Sequence, residues 1–278
     1  MADILLAHEA MIRLAVFLAV LAAMAGLEAI LPGRVRAVAR WQRWPANLGI
    51  VVLNTVLVRL LLPVTAAGIA LVFERQGVGL LPGLGLPPWA AFLAALVLLD
   101  LAIYLQHVLF HAVPGLWRLH RMHHADLDFD VTTGGRFHPV EILLSMAIKL
   151  AVIAALGAPV AAVIVFEIVL NATAMFNHAN LHLPPALDRV LRWFVVTPDM
   201  HRVHHSIRIE ETNSNFGFNL PWWDRLLGTY RSQPRDGHDG MTIGIEQFRT
   251  PADLRLDRML IQPFRGGADL VGRRRPST

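Results

Sequence analysis

Four long apolar runs constrain this chain more than anything else in it. They are Ile12 to Leu31, Leu48 to Phe73 (interrupted by Arg59 and Pro63), Trp89 to Phe110 (with Asp100 inside it) and Ile142 to Leu170 (broken at Gly157-Ala158-Pro159). A helix of roughly 20 apolar residues crosses about 30 Å of hydrocarbon, and the first three runs reach that length. A chain of 278 residues has little room to bury three such helices in a soluble core. Composition agrees: 17% of residues are charged and 55% are hydrophobic, whereas soluble domains are about 25% charged. The expected fold is an all-α integral membrane protein with about three transmembrane helices. The halves of the fourth run are about 15 residues each, roughly 22 Å as helix and too short to span alone. They read as a re-entrant or double-crossing hairpin bent at Gly157-Ala158-Pro159.

The first run is expected to be a retained helix rather than a signal peptide. Asp3 and Glu9 precede its first basic residue, Arg13, so a basic n-region is missing. Orientation follows from arginine placement. The loop after the first run carries Arg34, Arg36, Arg40 and Arg43, whereas the loop after the second carries only Glu74 and Arg75. The positive-inside rule puts the first loop in the cytoplasm. His107 to His138 and, through the hairpin, everything from His178 onward then share that side as a helical cap, in a bacterial inner membrane. One domain covers 1–278. From Gln233 the chain reads as a polar cytoplasmic tail with a mobile, lipid-facing basic end at Arg273-Arg274-Arg275. The net charge of +4 fits arginines at a membrane surface and calls for no nucleic acid partner.

There is no cysteine, which excludes thiolate metal sites, disulfides and a cysteine nucleophile. Thirteen histidines remain, and ten of them cluster. His107 and His111 are spaced i, i+4, as are His178 and His182. His120, His123 and His124 form HxxHH, as do His201, His204 and His205. Positions i, i+3 and i+4 share a helix face, so each group aims its rings one way. Buried neutral imidazoles in such number are hard to satisfy by hydrogen bonds alone. Ten overfill one ion and suit two, at about five each with a position left open. Imidazole binds iron, copper, zinc and nickel, so ligand type leaves the metal open.

A metal-bound imidazole usually donates its other N–H. Asp100 and Glu167 are candidates to receive it, because an acid inside an apolar run needs a partner. Asn171, Asp199 and Asn213 are further candidates. His138, in Arg136-Phe137-His138-Pro139, reads as a helix N-cap that supports the centre from outside the ligand set. His8 and His238 read as solvated bystanders.

These residues resemble the fatty acid hydroxylase superfamily, also called the sterol desaturase family, over roughly residues 90 to 232. The likeness rests on His107-x3-His111, Leu119-His120-Arg121-Met122-His123-His124, Arg136-x-His138-Pro139-x-Glu141, His178-x3-His182 and Thr197-Pro198-Asp199-Met200-His201-Arg202-Val203-His204-His205-Ser206. Asn213-Ser214-Asn215-Phe216-Gly217 and Trp222-Trp223-Asp224-Arg225-Leu226-Leu227-Gly228-Thr229-Tyr230 complete it. The resemblance implies a membrane di-iron enzyme that uses O2 and two electrons to hydroxylate or desaturate a lipid C–H bond. It implies that all ten clustered histidines bind metal and that the di-metal centre is itself the catalyst, with no separate acid or base. The chain shows no flavin or haem motif. Electrons would therefore come from a separate ferredoxin- or cytochrome-type reductase.

Two other classes compete with this one. A membrane zinc hydrolase should carry HExxH, which is missing here. A metal transporter or sensor should place ligands at the membrane midplane, whereas these follow the ends of apolar runs.

Overall fold

A computed structural model describes residues 2–62 and 64–266. Pro63, the expected basic end at Arg273-Arg274-Arg275 and the C-terminus lie outside the described residues. Among the described residues there is no strand, only the isolated bridges Pro32–Leu181 and Ser206–Ile243. The helices are α1 (Ala2–Ile30), α2 (Arg40–Leu61), α3 (Ala66–Gln76), α4 (Leu80–Gly83), α5 (Pro88–Ala112), α6 (Pro114–His124), α7 (Pro139–Leu156), α8 (Val160–Asn177), α9 (Pro185–Leu191), α10 (Pro198–His204), α11 (Ile209–Thr212), α12 (Trp222–Leu226), α13 (Gly237–Gly240) and α14 (Leu256–Ile261).

Among the described residues, five stretches are by length and composition able to cross a membrane: His8–Ile30, Arg40–Gly83 (which holds α2, α3 and α4), Pro88–Ala112, Pro139–Leu156 and Val160–Asn177. The second apolar run divides into α2 and α3. The fourth divides where expected, but its arms are longer than the run. Pro139 opens α7 with His138 as cap, the ring Nδ1 accepting from the Val140 N–H at 3.2 Å. At the other end α8 continues past Leu170 to Asn177. Each arm has 18 residues, about 27 Å, so the halves are not too short to span. The turn needs its glycine. Gly157 sits at φ 59°, and a Cβ there would lie 2.4 Å from the Val78 carbonyl oxygen. The Glu74 carboxylate accepts from the Val160 N–H and closes the start of α8.

Both hairpin arms pack against α3 and α5. The core there includes Ala66, Ala67, Ala70, Ala95, Leu99, Ile153 and Phe166. Its alanines let backbones approach closely, which is how helices associate in lipid. The hairpin also returns the chain. α1, α5 and α8 end, and α2 and α7 begin, at one end of the bundle. Buried Glu28 near the end of α1 accepts from the Val131 and Asn180 N–H groups. Arg43 near the start of α2 forms a buried bidentate pair with Asp126, at 2.6 and 2.7 Å. The arginine loop and the histidines thus occupy the same end.

Residues 233–266 are folded onto that end. Arg118 and Arg121 donate to the carbonyls of Pro263 and Gln262, each at 2.6 Å. His138 Nε2 donates to the Leu260 carbonyl at 3.2 Å. The polar stretch after Gln233 is therefore a covering strap as far as it is described.

Candidate metal centre

Nine imidazoles converge in two adjoining groups. His107, His111, His120, His124 and His204 form one; His123, His178, His201 and His205 form the other. All nine are buried. α5 contributes His107 and His111, α6 contributes His120, His123 and His124, and α10 contributes His201 and His204. His178 and His205 are the C-caps of α8 and α10. Each HxxHH motif serves both groups. Residues i and i+4 lie about 40° apart around a helix, while i+3 and i+4 lie about 100° apart. Accordingly His120 and His124 stay together and His123 crosses over. In α10, His201 and His205 stay together and His204 crosses over. The His124 and His205 rings stack at 4.6 Å across the boundary.

The tautomers can be read from fixed partners. Backbone carbonyls only accept. His107 Nδ1 donates to Phe216, His204 Nδ1 to Ser214 and His178 Nδ1 to Ala174, each at 2.7 Å. A neutral imidazole carries one N–H, so Nε2 of these three rings is a bare lone pair. Nε2 of His107 and His204 nevertheless stand 3.0 Å apart. His178 Nε2 faces the Nε2 atoms of His123, His201 and His205 at 3.1, 3.1 and 3.2 Å. The His107 and His204 lone pairs repel unless a cation lies between them, so the five-ring group fits a metal ion; in the four-ring group the bare Nε2 of His178 meets three further imidazole nitrogens, a donor set that a second ion would complete. Nitrogens held about 2.0–2.1 Å from one ion stand about 2.8–3.4 Å apart, and the observed 3.0–3.2 Å lies within that range. Burial keeps the rings neutral: it pushes His120 and His178 down to about 3 and drives His123, His124, His201, His204 and His205 well below the ordinary histidine value.

The remaining expected site residues are distributed unevenly. Asn213 Oδ1 accepts from His111 Nδ1 at 3.3 Å. His182 joins neither group: α8 ends at Asn177, the chain turns away through the Leu181 bridge, and the ring is exposed. Glu167 lies about three helical turns before His178 and pairs instead with Arg13 at 2.6 Å and Lys149 at 2.5 Å. Asn171 is exposed and donates back to the Glu167 carbonyl. Asp100 accepts from Trp223 Nε1 at 2.8 Å and the Leu220 N–H at 3.3 Å. Asp199 pairs with Arg202. His138 caps α7 and grips the strap. His8 is exposed, and His238 is half-buried, 4.0 Å from Asp199.

Several supporting groups have no role assigned from the sequence. Glu141 Oε1 meets His120 Nδ1 at 2.6 Å. Phe137 stacks on His123 at 4.5 Å. Asp126, two residues after His124, also accepts from Thr133 and Asn47; Arg43 and Arg136 hold its carboxyl well below the usual range.

Comparison with known proteins adds a family. The fatty acid hydroxylase model matches residues 92–229, a stretch that contains all nine clustered histidines. The chain belongs to the fatty acid hydroxylase family. Among its relatives are ornithine lipid hydroxylase OlsE of Rhizobium tropici (32% identical over 64% of this chain and 52% of the relative), alkylglycerol monooxygenase of Xenopus tropicalis (30%, over 58% and 35%) and cholesterol 25-hydroxylase of Rattus norvegicus (29%, over 51% and 47%). This chain thus spans about half or less of the curated relatives it matches. No solved structure gives a significant match. In this chain the Trp-Asp-x-x-x-Gly-Thr stretch has a visible task. The Asp224 carboxylate accepts from the Phe216 and Gly217 N–H groups at 2.8 Å and from Thr229 Oγ1 at 2.7 Å. It therefore fixes the Phe216 carbonyl that orients His107.

Proposed function

We propose that this protein is a di-iron lipid hydroxylase or desaturase, with its centre at the cytoplasmic face of a bacterial inner membrane. The observation that carries this reading is the pair of buried imidazole groups, one with the bare Nε2 atoms of His107 and His204 opposed and the other gathered round the bare Nε2 of His178. In it, His107, His111, His120, His124 and His204 hold one iron, and His123, His178, His201 and His205 hold the other. His182 is left out. The relatives' names add the substrate class, because each names action on a lipid. Arg34, Arg36, Arg40 and Arg43, at the same end as the histidines, support the cytoplasmic placement.

Iron bound in these groups supplies O2 activation, which side chains alone cannot provide for an unactivated C–H bond. The chain's own residues do the rest. The carbonyls of Phe216, Ser214 and Ala174 fix three tautomers, so Nε2 faces inward. Glu141 and Asn213 hold His120 and His111 by their outer nitrogens. Phe137 and Phe129 line the rings with apolar surface and exclude water. Electrons come from a separate ferredoxin- or cytochrome-type donor. A zinc hydrolase fits less well, because there is no HExxH glutamate and nine clustered imidazoles exceed its needs.

The test is lipid analysis of cells expressing the wild-type chain or His204→Ala, grown under isotopically labelled O2. A lipid carrying the label, or a new double bond formed only with O2, is expected from the wild type alone. A lipid product formed equally without O2 would overturn the reading.

A further inference from the structure

Outside the histidine centre, one surface stands out. Leu187 and Val190 of α9, Trp193 and Phe194 just beyond it, and Trp222 and Leu226 of α12 are all exposed, Phe194 at 66% and Leu226 at 73%. They form one face. Trp222 Nε1 donates to the Trp193 carbonyl at 2.7 Å, Arg225 donates to the Arg192 carbonyl at 3.0 Å, and the Arg225 guanidinium lies 4.2 Å from the Trp193 ring. Contiguous exposed apolar surface of this kind marks a contact with a partner or a membrane.

The depth of the face identifies its occupant. The segment leading into α12 does not sit above the bundle. It runs down its side, with Asn219 bonded to Thr173 of α8, and Leu220 and Trp223 bonded to Asp100 of α5. Asp100 lies seven residues, roughly 10 Å of helix, from His107 toward the middle of the α5 span. Between about that level and the histidines α5 presents Leu105 and Leu109, and α8 presents Val169, outward. The segment leading into α12 thus lies against the flank of two helices that, read as membrane-spanning, present apolar side chains to lipid. Trp and Arg beside aliphatic side chains are the residues that favour the boundary of a bilayer.

We propose that α9 and α12 form an in-plane anchor embedded in the leaflet on the histidine side, which fixes the depth of the metal centre in the membrane. This rests on the reading of α5 and α8 as membrane-spanning and is independent of the reaction. The absence of cysteine makes the test direct. Phe194→Cys and Leu226→Cys, each carrying a nitroxide, are reconstituted as full-length protein in nanodiscs of phosphatidylcholine and phosphatidylglycerol. Collision rates with O2, which partitions into lipid, are compared with those of a water-soluble nickel chelate. Leu109→Cys is the lipid-facing reference and Arg255→Cys, on the strap, the aqueous one. Both anchor positions are expected to match the Leu109 label, with O2 collisions dominant. Values matching the Arg255 label would overturn the anchor while leaving the spanning helices standing. Spin–spin broadening that disappears on dilution with unlabelled chain would assign the face to a second copy and also overturn it. Aqueous values at Leu109 as well would remove the spanning reading and the anchor together.

Discussion

His107 and His204 each direct their Nδ1 proton to a backbone carbonyl, so removing either ring deletes one donor from a set that cannot rearrange. His204→Ala is expected to lose the metal of the five-ring group. His182→Ala should keep the full metal content, measured by elemental analysis per chain. Loss of metal in the His182 variant, or full content in the His204 variant, would redraw the ligand set. Asp224→Ala leaves two buried N–H groups and a hydroxyl without their acceptor, at about 1–3 kcal/mol each before relaxation. It should lower the thermal midpoint and weaken metal retention, whereas Asp224→Asn should retain much of both. Unchanged melting and metal content in Asp224→Ala would refute its positioning role. At this scale the histidine spacing is legible because i, i+3, i+4 arithmetic holds within any helix. It misplaces His182 because the arithmetic presumes that the helix continues, and α8 stops at Asn177. The carbonyls of Phe216, Ser214 and Ala174 are illegible in principle: every residue has one, and only the fold decides which meets a ring.

The helices meet the membrane with one costly feature. Arg13 of α1, Lys149 of α7 and Glu167 of α8 join within segments read as spanning, with Glu9 completing the set. Charges there must be paired, and this set is neutral overall. Glu167 therefore clamps α1 and α7 onto α8 rather than serving the metal. Removing its charge by Glu167→Gln should destabilise the fold by about 3–5 kcal/mol, read as a lower melting temperature in detergent. The metal content of the folded fraction should stay unchanged. Loss of metal without loss of stability would return Glu167 to the centre. An acid in an apolar run signals that a partner exists, but not which helix supplies it, so the sequence points to the wrong neighbour. The hairpin turn is legible from Gly157-Ala158-Pro159. The lengths of its arms are not, because Glu141 at one end and Asn171 and Thr173 at the other interrupt the apolar run without ending the helix.

At the scale of the molecule, the bundle places the arginine loop, both histidine groups and the strap at one end. All-helical architecture follows from the apolar runs. The closing of residues 233–266 over the centre does not, because polar composition reads alike in a solvated tail and in a strap held by Arg118, Arg121 and His138. If the arginine loop is cytoplasmic, a reporter fused after Thr278 should read as cytoplasmic, and a periplasmic readout would contradict the orientation. The central claim is two metal ions held by two imidazole groups, and its most direct measurement is metal content per chain with a Mössbauer spectrum of protein produced in iron-supplemented cells. Two irons per chain with a coupled diferric signal are the result this account predicts. A single tetrahedral zinc per chain, with no iron retained even in anaerobic preparations, would contradict it.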